Sequence, residues 1–301
     1  MKVVVTGGTG FVGRKLVAAL LARGDEVTVL SRRASDPRVP SAAKIVRWTP
    51  TEDGAWSAAV DGVDAVVHLA GEPVIGRWSA EQKARIRESR VVSTERLVAA
   101  IARAKAKPRV LVCASAIGYY GDHAAAVRVD ETSPPGSDFL AEVVTAWEHA
   151  AERATDEGTR VVRLRIGIVL GEGGGALAEM LGPFRWFVGG PIGSGTQMFS
   201  WIHADDVVGL VVRALDDDRV VGAINATAPT PVDMNELAKT LGRVLHRPSF
   251  FRVPTFAIKA AFGEGSAPLL GGARVLPTRA LELGYAFRWP ILDAALTDIV
   301  R

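Results

Sequence analysis

Only one cysteine, Cys113, occurs among the 301 residues. No internal disulfide can form, and its place in the apolar run Val110-Leu111-Val112-Cys113 fits a buried strand. Metal-ligand spacing is missing too. The five histidines (His68, His123, His149, His203, His246) are scattered without paired ligands, so no metal site is expected. No uninterrupted apolar run approaches bilayer-crossing length, and prolines break up the C-terminal stretch where a surface helix could lie, so no membrane partner is expected. Neither sign of charge dominates: 36 Lys and Arg face 33 Asp and Glu, a net charge of +3. Acids interleave with bases, as over residues 80–96, and no basic tract with aromatics appears. This speaks against nucleic acid as a partner. Strand-like sequence starts almost at residue 1, leaving no leader segment, and a cytoplasmic location is expected. A content of 48% hydrophobic and 23% charged residues describes a folded chain with an ample core, in one large or two smaller domains.

What the chain does have stands at its beginning. Val3-Val4-Val5-Thr6 runs into Gly7-Gly8-Thr9-Gly10-Phe11-Val12-Gly13, and helical sequence follows over 14–23. A β-branched strand, glycines three apart and a helix make a dinucleotide pyrophosphate loop. Gly7 takes the tight turn, Gly10 admits the phosphates to the backbone and Gly13 lets helix and strand pack closely. The helix N-terminus offers N–H groups and partial positive charge to the anion. Gly8 to Gly13 also has the spacing of a triphosphate loop, but Arg14-Lys15 follows where Lys and then Ser or Thr are required, which excludes that reading.

The end of the second strand, 26–30, separates NAD from NADP. An acid there would bond the ribose 2′-hydroxyl. This chain has Ser31-Arg32-Arg33 and no carboxylate before Asp36. Guanidinium and hydroxyl groups suit a 2′-phosphate, so the expected cofactor is NADP, held by Arg32 with Ser31 and Arg33.

Apolar runs at 2–6, 26–30, 44–47, 65–69, 110–114 and 161–166 alternate with amphipathic stretches at 13–23, 79–104 and 140–155. That alternation predicts an α/β fold, a doubly wound parallel sheet with ligand at the strands' C-terminal ends. Glycine-rich segments at 171–175 and 189–195 mark boundaries. The expected nucleotide domain is 1–171, rejoined by about 200–228. Residues 172–199 and 229–301 form a smaller cap and substrate region, with 189–196 a flexible loop at the pocket. Asp205 or Asp206 is expected to cap a helix. The helical stretches 79–104 and 140–155 fit a dimer bundle or ordinary core equally well, so monomer and homodimer stay open.

Four segments together resemble one family: Thr6 to Gly13, His68-Leu69-Ala70-Gly71, Ser115-Ala116-Ile117-Gly118-Tyr119-Tyr120-Gly121 and Trp201-Ile202-His203-Ala204-Asp205-Asp206. The chain looks like an atypical extended short-chain dehydrogenase/reductase of the NAD-dependent epimerase/dehydratase-like branch. Glu72-Pro73, the 139–148 segment and the proline-rich C-terminal piece fit that branch. The resemblance covers essentially the whole chain and implies a Rossmann domain with a smaller, variable C-terminal region. It implies pyrophosphate contacts from Gly7, Thr9, Gly10, Phe11, Val12 and Gly13. Adenosine and ribose contacts follow from Leu69, Ala70, Gly71 and Glu72, and nicotinamide contacts from the segment around Ser115 and Ile117.

Active members of the superfamily use a Tyr, a Lys four residues later and a Ser or Thr, because a phenol is a poor base near neutrality without a cation beside it. Here Phe139 and Val143 fall at the Tyr and Lys positions, and Ala116 at the Ser/Thr position; no Tyr or Lys occurs over 139–155. Ser115, Tyr119 and Tyr120 are the remaining catalytic candidates, with Glu72, Glu142 and Glu148 as available carboxylates. Two functions follow. One is an NADP(H)-dependent oxidoreductase or epimerase-like protein acting on a small carbonyl or hydroxyl compound, including nucleotide sugars. The other is a non-catalytic NADP(H)-binding sensor or interaction module.

Overall fold

Seven short runs form one parallel sheet in the computed structural model, which describes residues 1–300. They are β1 (Lys2–Thr6), β2 (Glu26–Ser31), β3 (Lys44–Arg47), β4 (Ala65–His68), β5 (Val110–Ala116), β6 (Arg160–Ile166) and β7 (Gly222–Ala226). Their spatial order is β3-β2-β1-β4-β5-β6-β7, all neighbours parallel. The chain starts in the middle, winds outward to β3, then crosses back to β4. The order therefore reverses between β1 and β4, where the crevice outside the strand ends receives ligands in such sheets.

Strand periodicity sends alternate side chains to opposite faces. Val3, Val5, Val29, Val67 and Val112 pack on one side against Leu16, Val17 and Leu20 of α1 (Phe11–Ala22) and Val207, Leu210 and Val211 of the helix Ala204–Asp216. Val4, Leu30, Val66, Leu111 and Cys113 pack on the other against Leu97 and Ile101 of α3 (Val91–Arg103) and Trp147 and Ala151 of α4 (Phe139–Glu152). With both faces covered, the central strands β1, β4 and β5 are largely apolar, whereas the edge strand β3 (Lys-Ile-Val-Arg) and β6, with its three arginines, are not.

The 79–104 stretch forms two helices instead of one. α2 (Ala80–Glu88) is polar, capped by Ser79, and contributes only Ile86 to the interior, whereas α3 carries a wide apolar face. The chain turns between them at Ser89-Arg90, where the Ser93 and Thr94 hydroxyls donate to the Ser89 and Arg90 carbonyls. β7, Gly-Ala-Ile-Asn-Ala, has too little apolar character to stand out in the sequence, yet it closes the sheet beside β6.

A third core joins Leu177 and Phe184 of the helix Gly175–Arg185 to Trp201, Leu237 and Leu241, and to Leu292 and Leu296 of the terminal helix Leu292–Ile299. Asp206 ties this region to the sheet. Its buried carboxylate accepts from the Tyr285 hydroxyl and from the Arg288 and Trp289 amides. The cap of Ala204–Asp216 is His203, whose Nδ1 accepts from the Asp205 amide at 3.1 Å, in place of the expected aspartate. Folding also gathers His203, Asp205 and Asp298 within 4.8 Å, a grouping invisible in linear spacing. The histidine there already serves the helix terminus.

Candidate cofactor and substrate site

The glycine loop between β1 and α1 is shaped by what a side chain would strike. Gly7 has φ of +70°, and a Cβ on it would lie 2.7 Å from the Leu69 carbonyl carbon. One on Gly13 would lie 2.1 Å from the Gly7 carbonyl oxygen. Gly10 donates to that same oxygen at 2.9 Å and begins α1 in extended conformation. No side chain caps α1, and no acid lies in its first turn. The first-turn N–H groups thus face the crevice with the helix dipole behind them, which fits a pyrophosphate. Phe11 reaches over to the 171–175 glycines: a Cβ on Gly171, Gly174 or Gly175 would come within 2.8, 2.7 or 2.9 Å of its ring. That stretch, read from sequence as a boundary, is also the bed of the phosphate loop's aromatic residue.

The loop after β4 is fixed by a buried relay. Thr6 Oγ1 accepts from the Leu69 and Ala70 amides at 3.2 and 3.3 Å. Its proton is left for His68 Nδ1 at 2.6 Å, and the opposite ring nitrogen faces the Ser93 hydroxyl at 3.4 Å. Burial lowers the His68 pKa to about 4, so the ring is neutral and can accept at Nδ1. Gly71 follows, so close to Arg90 that a Cβ would sit 3.2 Å from the guanidinium carbon, while Arg90 donates to the Glu72 carbonyl at 2.9 Å. Burial lowers the Arg90 pKa to about 10, with the Glu72 charge acting in the other direction. The Arg32 guanidinium lies 3.3 Å from the Glu72 carboxylate, and the Arg33 amide donates to Ser31 Oγ at 3.2 Å. The residues expected around the adenosine end are brought together.

Beyond β5, where Ala116, Phe139 and Val143 stand at the superfamily's Ser/Thr, Tyr and Lys positions, a buried ion pair joins β6 to α4. Arg165 of β6 grips Glu148 of α4 with two parallel bonds, 2.8 and 2.9 Å, both side chains almost wholly enclosed. Ser115 donates to the same Glu148 oxygen at 2.5 Å, which leaves its lone pairs as acceptors. The two tyrosines separate in role. Tyr120 is 1% exposed; its hydroxyl donates to Asn225 Oδ1 at 2.7 Å and accepts from Arg165 at 3.0 Å. Burial raises its pKa to about 12, with Arg165 opposing. Buried and doubly bonded, the Tyr120 hydroxyl is held within the protein's own network. Tyr119 is half-buried, its ring 3.5 Å from the Arg165 guanidinium carbon in a cation–π contact. Val143 is in the core, and Phe139 packs on Trp78 at 5.1 Å with the Lys83 ammonium 5.3 Å from its ring centre. The family resemblance places the 165–170 segment close to the substrate without assigning Arg165 a partner, and Asn225 escaped sequence reasoning; an arginine between apolar residues in Val161-Val162-Arg163-Leu164-Arg165-Ile166 is a readable sign of a buried partner.

A family model described as NAD dependent epimerase/dehydratase family matches residues 3–226. The chain belongs to that family. A second model, described as a domain of unknown function (DUF1731), matches residues 253–299. The epimerase family protein SDR39U1 homolog, chloroplastic, of Arabidopsis thaliana is 47% identical over 304 residues, covering 100% of this chain and 87% of that protein. Human epimerase family protein SDR39U1 is 41% identical, with both chains covered completely. The crystal structure of human SDR39U1 isoform 2 with NADPH superposes at a TM-score of 0.91, with 39% identity and 99% of each chain covered. A UDP-glucuronic acid 4-epimerase from Bacillus cereus, 18% identical, shares the fold at a TM-score of 0.81 over 99% of this chain and 98% of its own. The family and the doubly wound Rossmann fold expected from sequence are both found. No helix among the described residues is long and apolar enough to cross a membrane, and one relative's name places it in the chloroplast.

Proposed function

We propose that this family member binds NADP(H) and exchanges hydride with a small carbonyl or hydroxyl compound, in a site where Tyr119 handles the proton. The carrying observation is the glycine cradle against an uncapped helix: Gly7 and Gly13 leave no room for a Cβ, and the start of α1 is open to an anion. The NADPH held by the human relative supports the choice of cofactor. Residues 1–171 with about 200–228 would hold the cofactor, and 172–199 with 229–301 would shape the substrate side.

When bound, the nicotinamide supplies the hydride donor or acceptor. The chain supplies the rest. Phe11, Val12 and Gly13 present amides to the pyrophosphate, with Thr9 and Gly10 in the same loop; Leu69, Ala70 and Gly71 form the wall beside it. Arg32, with Ser31 and Arg33, holds the 2′-phosphate. Ile117 lines the nicotinamide end. Ser115, its proton committed to Glu148, accepts a hydrogen bond from cofactor or substrate. Arg165 fixes the Tyr119 ring and provides fixed positive charge near the substrate oxygen, as the absent lysine does elsewhere. Tyr119 Oη then gives or takes the proton at that oxygen.

NADPH and NADH binding would be measured by calorimetry, and turnover followed at the nicotinamide absorbance band across a carbonyl panel. We expect preference for NADPH, turnover lost in Tyr119→Phe with binding kept, and turnover retained in a folded Tyr120→Phe. Tight NADPH binding with no turnover anywhere, including with small molecules recovered from the purified protein, would favour the sensor. Loss of turnover in Tyr120→Phe alone would reject the assignment of the proton to Tyr119.

A further inference from the structure

Two neighbouring segments of the smaller region display aromatic side chains to solvent. Trp186, Phe187 and Val188 follow the helix Gly175–Arg185, Phe250 and Phe251 lie on the connection into the helix Thr255–Phe262, and Phe256 lies in its first turn. Trp186 is 81% exposed, Phe250 72% and Phe256 75%. The segments are tied together. Phe251 donates its amide to the Gly189 carbonyl at 3.2 Å, Ile192 and Val253 form a parallel bridge, and Arg252 donates to the Gly193 and Ser194 carbonyls at 3.1 and 2.7 Å. The Arg247 guanidinium sits 4.5 Å from the Phe187 ring centre, and Phe250 pairs with Phe251 at 4.5 Å. Phe187 has φ of +62°, a conformation a bulky L residue adopts only when its surroundings enforce it. Large apolar rings held outward in this way are uncommon on a soluble surface and mark a contact.

The charge around them selects the partner. Arg185, Arg247, Arg252 and Lys259 are all exposed. None is in an ion pair among the described residues, whereas their neighbour Arg243 is paired with Asp293. A two-fold contact between copies would bring these unpaired cations face to face. An anionic bilayer surface would neutralise them while the rings enter the headgroup zone, as amphipathic membrane-surface elements do. We infer that this patch is a peripheral docking site for anionic phospholipid. It runs against the expectation from sequence of no membrane partner, which rested on the lack of a long apolar run and on the prolines of the C-terminal stretch.

The test uses the whole chain and sedimentation with vesicles of phosphatidylcholine alone or with 30% phosphatidylserine, at low and 0.5 M salt. Expected are binding to the serine-containing vesicles only, loss at high salt, and quenching of tryptophan fluorescence by brominated acyl chains that is reduced in Trp186→Ser. Arg247→Glu/Lys259→Glu and Trp186→Ser/Phe250→Ser should each lower partitioning at least about tenfold, with NADPH binding kept as the check on folding. No binding to anionic vesicles by the wild-type chain at low salt would overturn the inference. So would equal binding to both vesicle types. A concentration-dependent dimer abolished by Trp186→Ser/Phe250→Ser would overturn it in favour of a second copy.

Discussion

Arg32 and Glu72 face each other at 3.3 Å, the first from the turn after β2 and the second from the loop after β4. Arg32 is 76% exposed along its side chain and Glu72 35%, so solvent screens the pair and its worth to the fold is about 1 kcal/mol or less. Such a pair is easily exchanged. A 2′-phosphate, with more charge and more acceptor oxygens than a carboxylate, would take Arg32 from Glu72.

Arg32→Ala should therefore weaken NADPH about tenfold, the value of one charge-assisted contact of roughly 1.5 kcal/mol, and leave NADH nearly unchanged. Glu72→Gln should tighten NADPH by a few-fold at low salt by removing the competing carboxylate, with the gain fading at high salt. Calorimetric titration of both cofactors checks this. Equal losses for NADPH and NADH in Arg32→Ala would place the 2′-phosphate elsewhere.

Gly13 offers a sharper test of the phosphate loop. A Cβ there would fall 2.1 Å from the Gly7 carbonyl oxygen, an approach that only backbone movement can relieve. Gly13→Ala should cost about 3 kcal/mol, the upper range for overpacking, and lose cofactor binding because α1 is levered away from β1. Denaturant unfolding with and without NADPH measures both effects. An unchanged midpoint would mean that helix and strand are not packed as described.

The sequence made the cofactor half of the site legible because that half is written locally. A strand, three glycines and a helix are contiguous, and Gly13 answers to the Gly7 carbonyl in the same loop, although Gly7 itself answers to the distant Leu69. The central strands were equally plain, since parallel strands buried on both faces are largely apolar. β7 escaped because Gly222-Ala223-Ile224-Asn225-Ala226 is held by its neighbour more than by its composition. The surroundings of Tyr119 and Tyr120 were opaque for a different reason. Arg165 meets Glu148 from another element and Tyr120 meets Asn225 from β7, so their meaning appears only once α4, β5, β6 and β7 are side by side. Tyr119 and Tyr120 are adjacent in sequence, yet one lies beside the crevice and the other is sealed. Composition could not divide them.

The Glu148–Arg165 pair carries its own prediction. Both groups are buried, and Ser115 and Tyr120 depend on them for partners. Removing Arg165 leaves the buried Glu148 with only Arg163, at 3.6 Å, so Arg165→Met should cost about 3 kcal/mol, the low end for breaking a buried pair. Glu148→Gln should cost less, because its amide oxygen still accepts from Ser115 or Arg165. The double replacement Glu148→Leu/Arg165→Met should recover most of the stability, since a packed apolar pair needs no compensation. It should not recover turnover, because Tyr119 loses the guanidinium beneath its ring. Urea unfolding of the three variants, followed by the absorbance assay, separates these effects. A double variant less stable than Arg165→Met would show that the pair stabilises the fold beyond mutual neutralisation.

His68 gives the fold a dependence on pH. Burial holds its folded-state pKa near 4, against an ordinary value of 6.5. Between those values the unfolded chain binds a proton that the folded chain refuses. This contribution is therefore complete above about pH 6.5 and is lost progressively as pH falls toward 4, on the order of 3 kcal/mol in full. Protonation would also force Nδ1 to stop accepting from Thr6, loosening the Leu69 and Ala70 amides that the same hydroxyl holds. NADPH affinity of the folded chain should fall only near pH 4, where the folded ring itself takes up the proton. His68→Asn, which takes up no proton there, should be less stable at pH 7 but show a shallower decline between pH 6.5 and 4. Thermal unfolding of both proteins across that range checks the sign: parallel slopes would mean that another group governs acid sensitivity, and a decline on raising the pH would contradict a neutral, buried His68.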